Sequence, residues 1–83
     1  MLYMVEITYP REKRAFLLEY FQARGVTGYQ AGVELKEAWV SIEECVAYAL
    51  VKVDDANAFE LERGRLAELG SVDSRHVMNA ADI

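Results

Sequence analysis

Cysteine and proline are nearly missing from this sequence of 83 residues, which contains one of each. A lone cysteine cannot form an internal disulfide. Cys45 lies within an apolar run and is interpreted as a small core residue, because a reactive thiol needs exposure and a cationic neighbour. The N-terminus also lacks a basic segment followed by a long apolar stretch, the pattern of a secretory leader. These features predict a reduced, soluble, cytoplasmic protein.

Positive charge is also scarce, since nine Lys and Arg stand against 14 Asp and Glu, for a net charge of −5. Such a chain repels phosphate backbones, and no basic stripe with interleaved aromatics offsets that repulsion. The one basic cluster, at positions 11, 13 and 14, includes Glu12 and is interpreted as a solvated helix face. No apolar run approaches the length of a membrane span. The sequence therefore predicts neither a nucleic-acid partner nor a membrane partner.

The composition is that of a folded protein, with 53% hydrophobic and 28% charged residues. At this length we expect a single domain over residues 1–83. Such a small chain buries only about 60–65% of its unfolded surface, so its own core gives marginal stability. Additional buried surface from a partner would therefore matter.

The apolar run 45–53 predicts a central strand, because its only charge is Lys52. One set of alternate residues is small, which lets a helix lie close against that face: Cys45, Ala47, Ala49 and Val51. The larger residues face the other way: Val46, Tyr48 and Leu50. Asp54 and Asp55 are expected to end the strand and cap a helix.

Strict alternation over residues 1–9 predicts a second strand with two unlike faces. The apolar and aromatic face is expected to meet helices: Tyr3, Val5, Ile7 and Tyr9. The other face begins apolar and ends polar: Leu2, Met4, Glu6 and Thr8. That change along one face is expected of a surface that the chain itself covers only in part.

Two helices are predicted from apolar spacings of three and four. The first spans 11–24, follows Pro10 and is expected to end at Gly25. The second spans 56–69, with Phe59, Leu66 and Leu69 inward, and ends at Gly70. The glycine-rich segment 25–32 follows a helix and is interpreted as a turn and linker rather than a phosphate-binding loop. Tyr29 in this segment either caps the sheet edge or lines the mouth of a cleft.

The two remaining strands are predicted at the edges of the sheet. Residues 33–42 carry charges on both faces, as edge strands do. Alternation would place Val33, Leu35, Glu37 and Trp39 on one face and Glu34, Lys36, Ala38 and Val40 on the other. Residues 71–80 are half polar, with Val72, Ser74, His76 and Met78 opposite Asp73, Arg75, Val77 and Asn79.

The order of these elements predicts a ferredoxin-like α+β plait: a four-stranded antiparallel βαββαβ sheet with both helices on one face. The uncovered face would carry five large apolar side chains: Leu2, Met4, Val46, Tyr48 and Leu50. Such a patch is too apolar to remain exposed to water. The simplest cover is a second copy, so we expect a homodimer that packs through the open sheet faces.

Three segments resemble a small bacterial family of uncharacterised domains: MLYMVEITY at the start, GVELKEAW ending in Trp39, and ALVKVDDANA leading into the second helix. That family belongs to the dimeric α/β-barrel superfamily. Relatives in the superfamily include muconolactone isomerases, small antibiotic-biosynthesis monooxygenases and chlorite-dismutase-like haem proteins. The resemblance implies the plait and the dimer. It implies no activity, because a shared fold does not determine chemistry.

The candidate ligand-binding residues are Glu6, Thr8, Trp39 and Tyr48, with Glu37 and His76 as further polar side chains. Alternation places Glu6, Thr8 and Tyr48 on the uncovered face. The faces of Trp39, Glu37 and His76 depend on the register of the edge strands, which a slip of one residue inverts. Glu6 is a weak catalytic candidate, either as a desolvated general base or ligand anchor, or as a carboxylate paired with Lys52, Arg75 or solvent. His76, the only histidine, is either an acid–base group or a surface residue. Trp39 and Tyr48 either pack in an interface or stack on an aromatic ligand.

No metal site is predicted, because one histidine and one buried cysteine give no zinc-ligand spacing. No haem or other cofactor is predicted either. Three functions remain open: an enzyme acting without metal on a small organic molecule, a non-catalytic ligand-sensing or assembly module, and a structural subunit. The enzyme predicts an enclosed pocket containing Glu6 or His76. The sensing module predicts a pocket without a positioned acid or base, and the structural subunit predicts a cleft filled by its own side chains.

Overall fold

The structure, a computed structural model, describes residues 1–27 and 31–82, with side chains described for all of these except 24–27. The elements are β1 (Leu2–Thr8), a 3₁₀ turn (Arg11–Lys13), α1 (Arg14–Thr27), β2 (Val33–Val40), β3 (Val46–Val53), α2 (Ala56–Ala67), β4 (Ser71–Val77) and a second 3₁₀ turn (Ala80–Asp82). The four strands pair antiparallel in the order β2-β3-β1-β4. The predicted α+β ferredoxin-like fold and both predicted edge strands are therefore confirmed.

One face of the sheet forms the core with the two helices. Its centre consists of alternate residues of β1 and β3, all nearly inaccessible to solvent: Val5, Ile7, Ala47, Ala49, Val51 and Val53. Leu17 and Phe21 of α1 and Phe59 and Leu66 of α2 belong to the same buried cluster. Ala47 and Ala49 belong to this buried face, so the small residues of β3 face the core.

The start of α2 is fixed by Asp55. Its Oδ1 atom accepts hydrogen bonds from the backbone N–H groups of Asn57, at 2.9 Å, and Ala58, at 3.3 Å. These bonds satisfy two of the N–H groups that the first turn of a helix leaves without partners. The predicted helix cap is therefore confirmed.

The predicted end of the first helix is wrong. Residues 11–13 form a 3₁₀ turn after Pro10, and α1 then continues past Gly25 to Thr27. One glycine costs a helix only about 1 kcal/mol, which is too little to end it where the surrounding chain stays helical. The predicted turn and linker over 25–32 is therefore partly helical, and Tyr29 lies outside the described residues.

The predicted faces of β2 are wrong beyond Leu35, because the pairing with β3 shifts register between Leu35 and Glu37. Such a bulge adds one residue to the strand and reverses the sides of the residues that follow. Ala38 and Val40 consequently pack against the core, whereas Trp39 turns to the opposite face. Glu37 turns with Trp39 and lies opposite Leu50.

Candidate functional site

The face of the sheet away from the helices is not covered by the described residues of a single chain. Its apolar side chains on the two central strands are half-buried rather than buried: Leu2, Met4, Val46 and Leu50. Two aromatic side chains on the same face are more exposed, with 46% of Trp39 and 36% of Tyr48 accessible. We call this surface the open face. It is a broad apolar surface with polar groups at defined positions.

One row of side chains crosses all four strands of the open face. Trp39 of β2 lies opposite Tyr48 of β3, Tyr48 lies opposite Glu6 of β1, and Glu6 lies opposite Asp73 of β4. Directly opposed side chains have Cβ atoms about 4.5–5.5 Å apart. The row therefore brings two aromatic rings and two carboxylates together, and we call it the polar row.

A hollow of about 240 Å³ lies on the open face next to the polar row, and none of the predicted pocket residues Glu6, Thr8, Trp39 and Tyr48 lines it. Its lining side chains come from the three strands β1, β3 and β4 and from the segment after β4: Leu2, Met4, Leu50, Val77, Met78 and Asn79. Asn79 is the one polar member of this set. None of the lining side chains is an acid or a base. The hollow is therefore suited to apolar contact with a small molecule, with one amide to orient it.

Glu6 and Lys52 share the open face but do not form the hypothesised ion pair. Lys52 lies opposite Leu2, four residues before Glu6 on β1, which is a separation of about 13 Å along the strand. Arg75 is engaged by Asp73, with Nη2 3.1 Å from Oδ2. Within the described part of the chain, the half-buried Glu6 carboxylate has no ion pair.

His76 does not join the polar row, because it lies on the helix side of the sheet. It is opposite Tyr3, and the two rings stack with centroids 5.1 Å apart and an interplanar angle of 25°. Tyr3 in turn contacts Phe59 of α2, at 4.7 Å between centroids. The sheet therefore separates His76 from Glu6. Thr8 is exposed on the open face, opposite Val46 and Ser71 at the end of β1.

No metal centre is formed by the residues that the structure describes, since no group of three or more His, Cys, Asp or Glu side chains is close enough to hold an ion. Cys45 is partly buried and packs against the core. Among residues 1–27 and 31–82, no helix is long and apolar enough to cross a membrane.

Two carboxylates, Asp73 and Glu62, were not identified as candidates from the sequence. Asp73 becomes the neighbour of Glu6 only through the β1–β4 register. Glu62 is 2% exposed on α2, where its Oε2 accepts a hydrogen bond from the Tyr20 hydroxyl and its Oε1 lies 3.2 Å from Nη1 of Arg65. The spacing could have indicated Glu62, because it lies three residues after the inward Phe59. Its contacts link α1 to α2 and strengthen the helix layer.

A larger hollow, of about 580 Å³, lies between the helices on the outer side of the molecule. It is an open groove lined by Phe16, Glu19, Tyr20, Ala23, Arg65, Glu68 and Leu69. It faces away from the open face and from the polar row. We take the open face as the candidate site because most of the sequence-predicted residues converge there.

The fold and the open face define a small ferredoxin-like α+β protein with one uncovered sheet surface. The chain belongs to DUF3303, a domain of unknown function, whose family model matches residues 1–83. This match confirms the expectation of an uncharacterised family. No curated protein and no solved structure matches the chain.

Proposed function

We propose that the protein is a homodimer of the dimeric α/β-barrel type that binds a small organic molecule, without a metal, on the open face. The observation that supports this most is the apolar hollow of about 240 Å³ beside the polar row. Clefts that bind small molecules are mostly apolar and carry a few placed polar groups. The hollow and the polar row have this composition.

The dimer is supported by the amount of apolar surface that a single chain leaves exposed. The central strands present Leu2, Met4 and Leu50 next to Trp39 and Tyr48. Contiguous apolar surface of this kind is characteristic of an interface. A second copy brings an equally apolar surface, so association removes the apolar surfaces of both chains from water.

Binding is the primary function proposed, because the lining of the hollow contains no acid or base. This is the arrangement expected of a ligand-sensing module. Catalysis is the second candidate, and it is favoured by the position of Glu6 opposite Asp73, whose carboxylate pairs with Arg75. Adjacent carboxylates can divide acid and base roles when their environments differ. Glu6→Gln is expected to abolish turnover of a bound substrate if Glu6 is the base, and to leave turnover unchanged if it is not.

Trp39 gives a direct optical test of the dimer, because it is the only tryptophan and lies on the open face. We expect its emission to lie at shorter wavelength at high protein concentration, where the partner covers it, and to shift to longer wavelength on dilution. Acrylamide quenching should rise with the same midpoint. Emission that does not change with concentration, in protein shown to be monomeric, would contradict the dimer.

The bound molecule is tested by extraction. Purified protein is denatured, and the small molecules released are identified by mass spectrometry. The matched control is the Leu50→Glu variant, which loses the apolar floor of the hollow and the proposed dimer. We expect compounds enriched in the wild-type extract over the control. Identical extracts from a confirmed wild-type dimer would contradict ligand binding and favour the structural subunit.

A further inference from the structure

We infer that the two-fold axis of the dimer runs parallel to the strands, between β3 and β1. Each Tyr48 then donates a hydrogen bond to the partner subunit's Glu6, and each Glu37 pairs with the partner subunit's Arg75. The inference rests on the homodimer proposed above and adds to it the orientation of the two copies. It follows from the order of side chains across the open face.

The open face is a grid of rows that run across the strands in the order β2, β3, β1, β4. The register defines three full rows: Glu34, Lys52, Leu2 and Val77; Glu37, Leu50, Met4 and Arg75; and the polar row Trp39, Tyr48, Glu6 and Asp73. Acidic residues of the first two rows lie at the β2 edge. The basic residue of the middle row lies at the β4 edge.

An axis along the strands keeps every row at its own level and exchanges the strands. It lays β2 over the partner's β4 and β3 over the partner's β1, since a symmetric interface pairs each patch with its counterpart. In the middle row, Leu50 then meets the partner's Met4, and Glu37 meets the partner's Arg75. Within this row, apolar residues face apolar residues and opposite charges face each other. Arg75 then lies between its own Asp73, with which it already pairs, and the partner's Glu37.

The same operation lays Tyr48 over the partner's Glu6 in the polar row. Packed sheets lie about 10 Å apart, a distance that a tyrosine and a glutamate extended toward each other can span. Within the described part of the chain, the Tyr48 hydroxyl and the Glu6 carboxylate have no hydrogen-bond partner. The contact gives each a partner, and a buried carboxylate without one would be costly.

An axis across the strands is much less favourable, because it lays each strand over its own copy and reverses the order of the rows. Centred on the polar row, it brings Glu6 against the partner's Glu6. Centred between the polar and middle rows, it brings Met4 against the partner's Glu6. The first buries like charges together, and the second places the half-buried Glu6 carboxylate against an apolar side chain. The axis along the strands instead gives Glu6 a hydroxyl partner. Its contacts of charged with apolar side chains involve Glu34, Lys52 and Asp73, which are exposed in the single chain.

In this orientation, residues of both chains line the ligand site. Met4 and Leu50 line the hollow of one chain. The partner's Leu50 and Met4 lie over them at the same level. The hollow is therefore open in one chain and closed in the dimer.

Charge reversal tests the orientation. Glu37→Arg places two pairs of like positive charges in the homodimer, and Arg75→Glu places two pairs of like negative charges. Each variant alone is expected to dimerise at least about tenfold more weakly than the wild type. Mixed together, the variants restore both attractive pairs, so native mass spectrometry should show heterodimers well above a statistical mixture. Circular dichroism checks that each variant is folded.

Glu34→Arg is the matched control, because Glu34 lies on the same strand and face as Glu37 but faces the partner's Val77 in this orientation. Mixed with Arg75→Glu, it should give only a statistical share of heterodimer. A statistical mixture of Glu37→Arg with Arg75→Glu, from a wild type that is dimeric, would overturn the orientation and leave the homodimer standing. A monomeric wild type would overturn the homodimer, and the orientation with it.

Discussion

Replacing Leu50 with glutamate is expected to convert the dimer into a monomer while the chain stays folded. Leu50 is half-buried in a single chain and lies on a central strand of the open face. In the dimer, each new carboxylate would be buried against apolar side chains without a partner. Two such charges per dimer should weaken association more than about 1,000-fold. Sedimentation velocity measures the loss, and far-UV circular dichroism checks the fold.

Leu61→Glu is the matched control for this variant. Leu61 lies on α2 with 59% of its surface exposed, away from the open face. The same substitution should leave association unchanged, because the carboxylate stays in water. Equal dissociation constants for the two variants would contradict a dimer through the open face.

Gly70→Ala is expected to destabilise the folded chain by about 3 kcal/mol, since overpacking of a tight site costs this much. Gly70 follows α2 and lies against the end of β1. A Cβ atom there would collide with the backbone oxygen of Thr8 and would lie 2.9 Å from the Cα atom of Tyr9. Both neighbours are backbone, so neither can rotate away. Urea denaturation at a fixed protein concentration measures the change, because dissociation makes stability depend on concentration.

Gly64→Ala, which lies within α2, gives the opposite expectation. Among the residues that the structure describes, no atom lies within 4 Å of the position that its Cβ would take. Alanine loses less backbone entropy than glycine on helix formation, so this variant should be more stable by about 0.5–1 kcal/mol. If Gly70→Ala were as stable as the wild type, the close approach between the end of α2 and β1 would be wrong.

Much of the fold could be predicted from the sequence because β1 and β3 alternate without interruption. Their inward residues are uniformly apolar, so a single register buries all of them. The predictions failed at two places where the local backbone departs from the sequence pattern, in β2 and at the end of α1. The bulge at Lys36 has no glycine to indicate it, and it reverses the faces of Ala38 and Trp39. Gly25 indicated the end of the first helix, but α1 continues to Thr27.

The candidate site could be predicted only where it depends on alternation within one strand. The positions of Glu6, Thr8 and Tyr48 on the open face follow from that alternation. Which of them meet depends on register between strands, which the sequence does not encode in a short motif. For this reason Glu6 lies beside Asp73 rather than near Lys52, and His76 lies across the sheet from both.

Native mass spectrometry of the wild-type protein over a dilution series tests most directly whether a second copy covers the open face. We expect a species of twice the 9.4 kDa chain mass that persists at micromolar concentration. Mass in excess of the two chains would give the first description of the bound molecule. A monomer at micromolar concentration would contradict the account, and the open face would then have to be covered by a different protein.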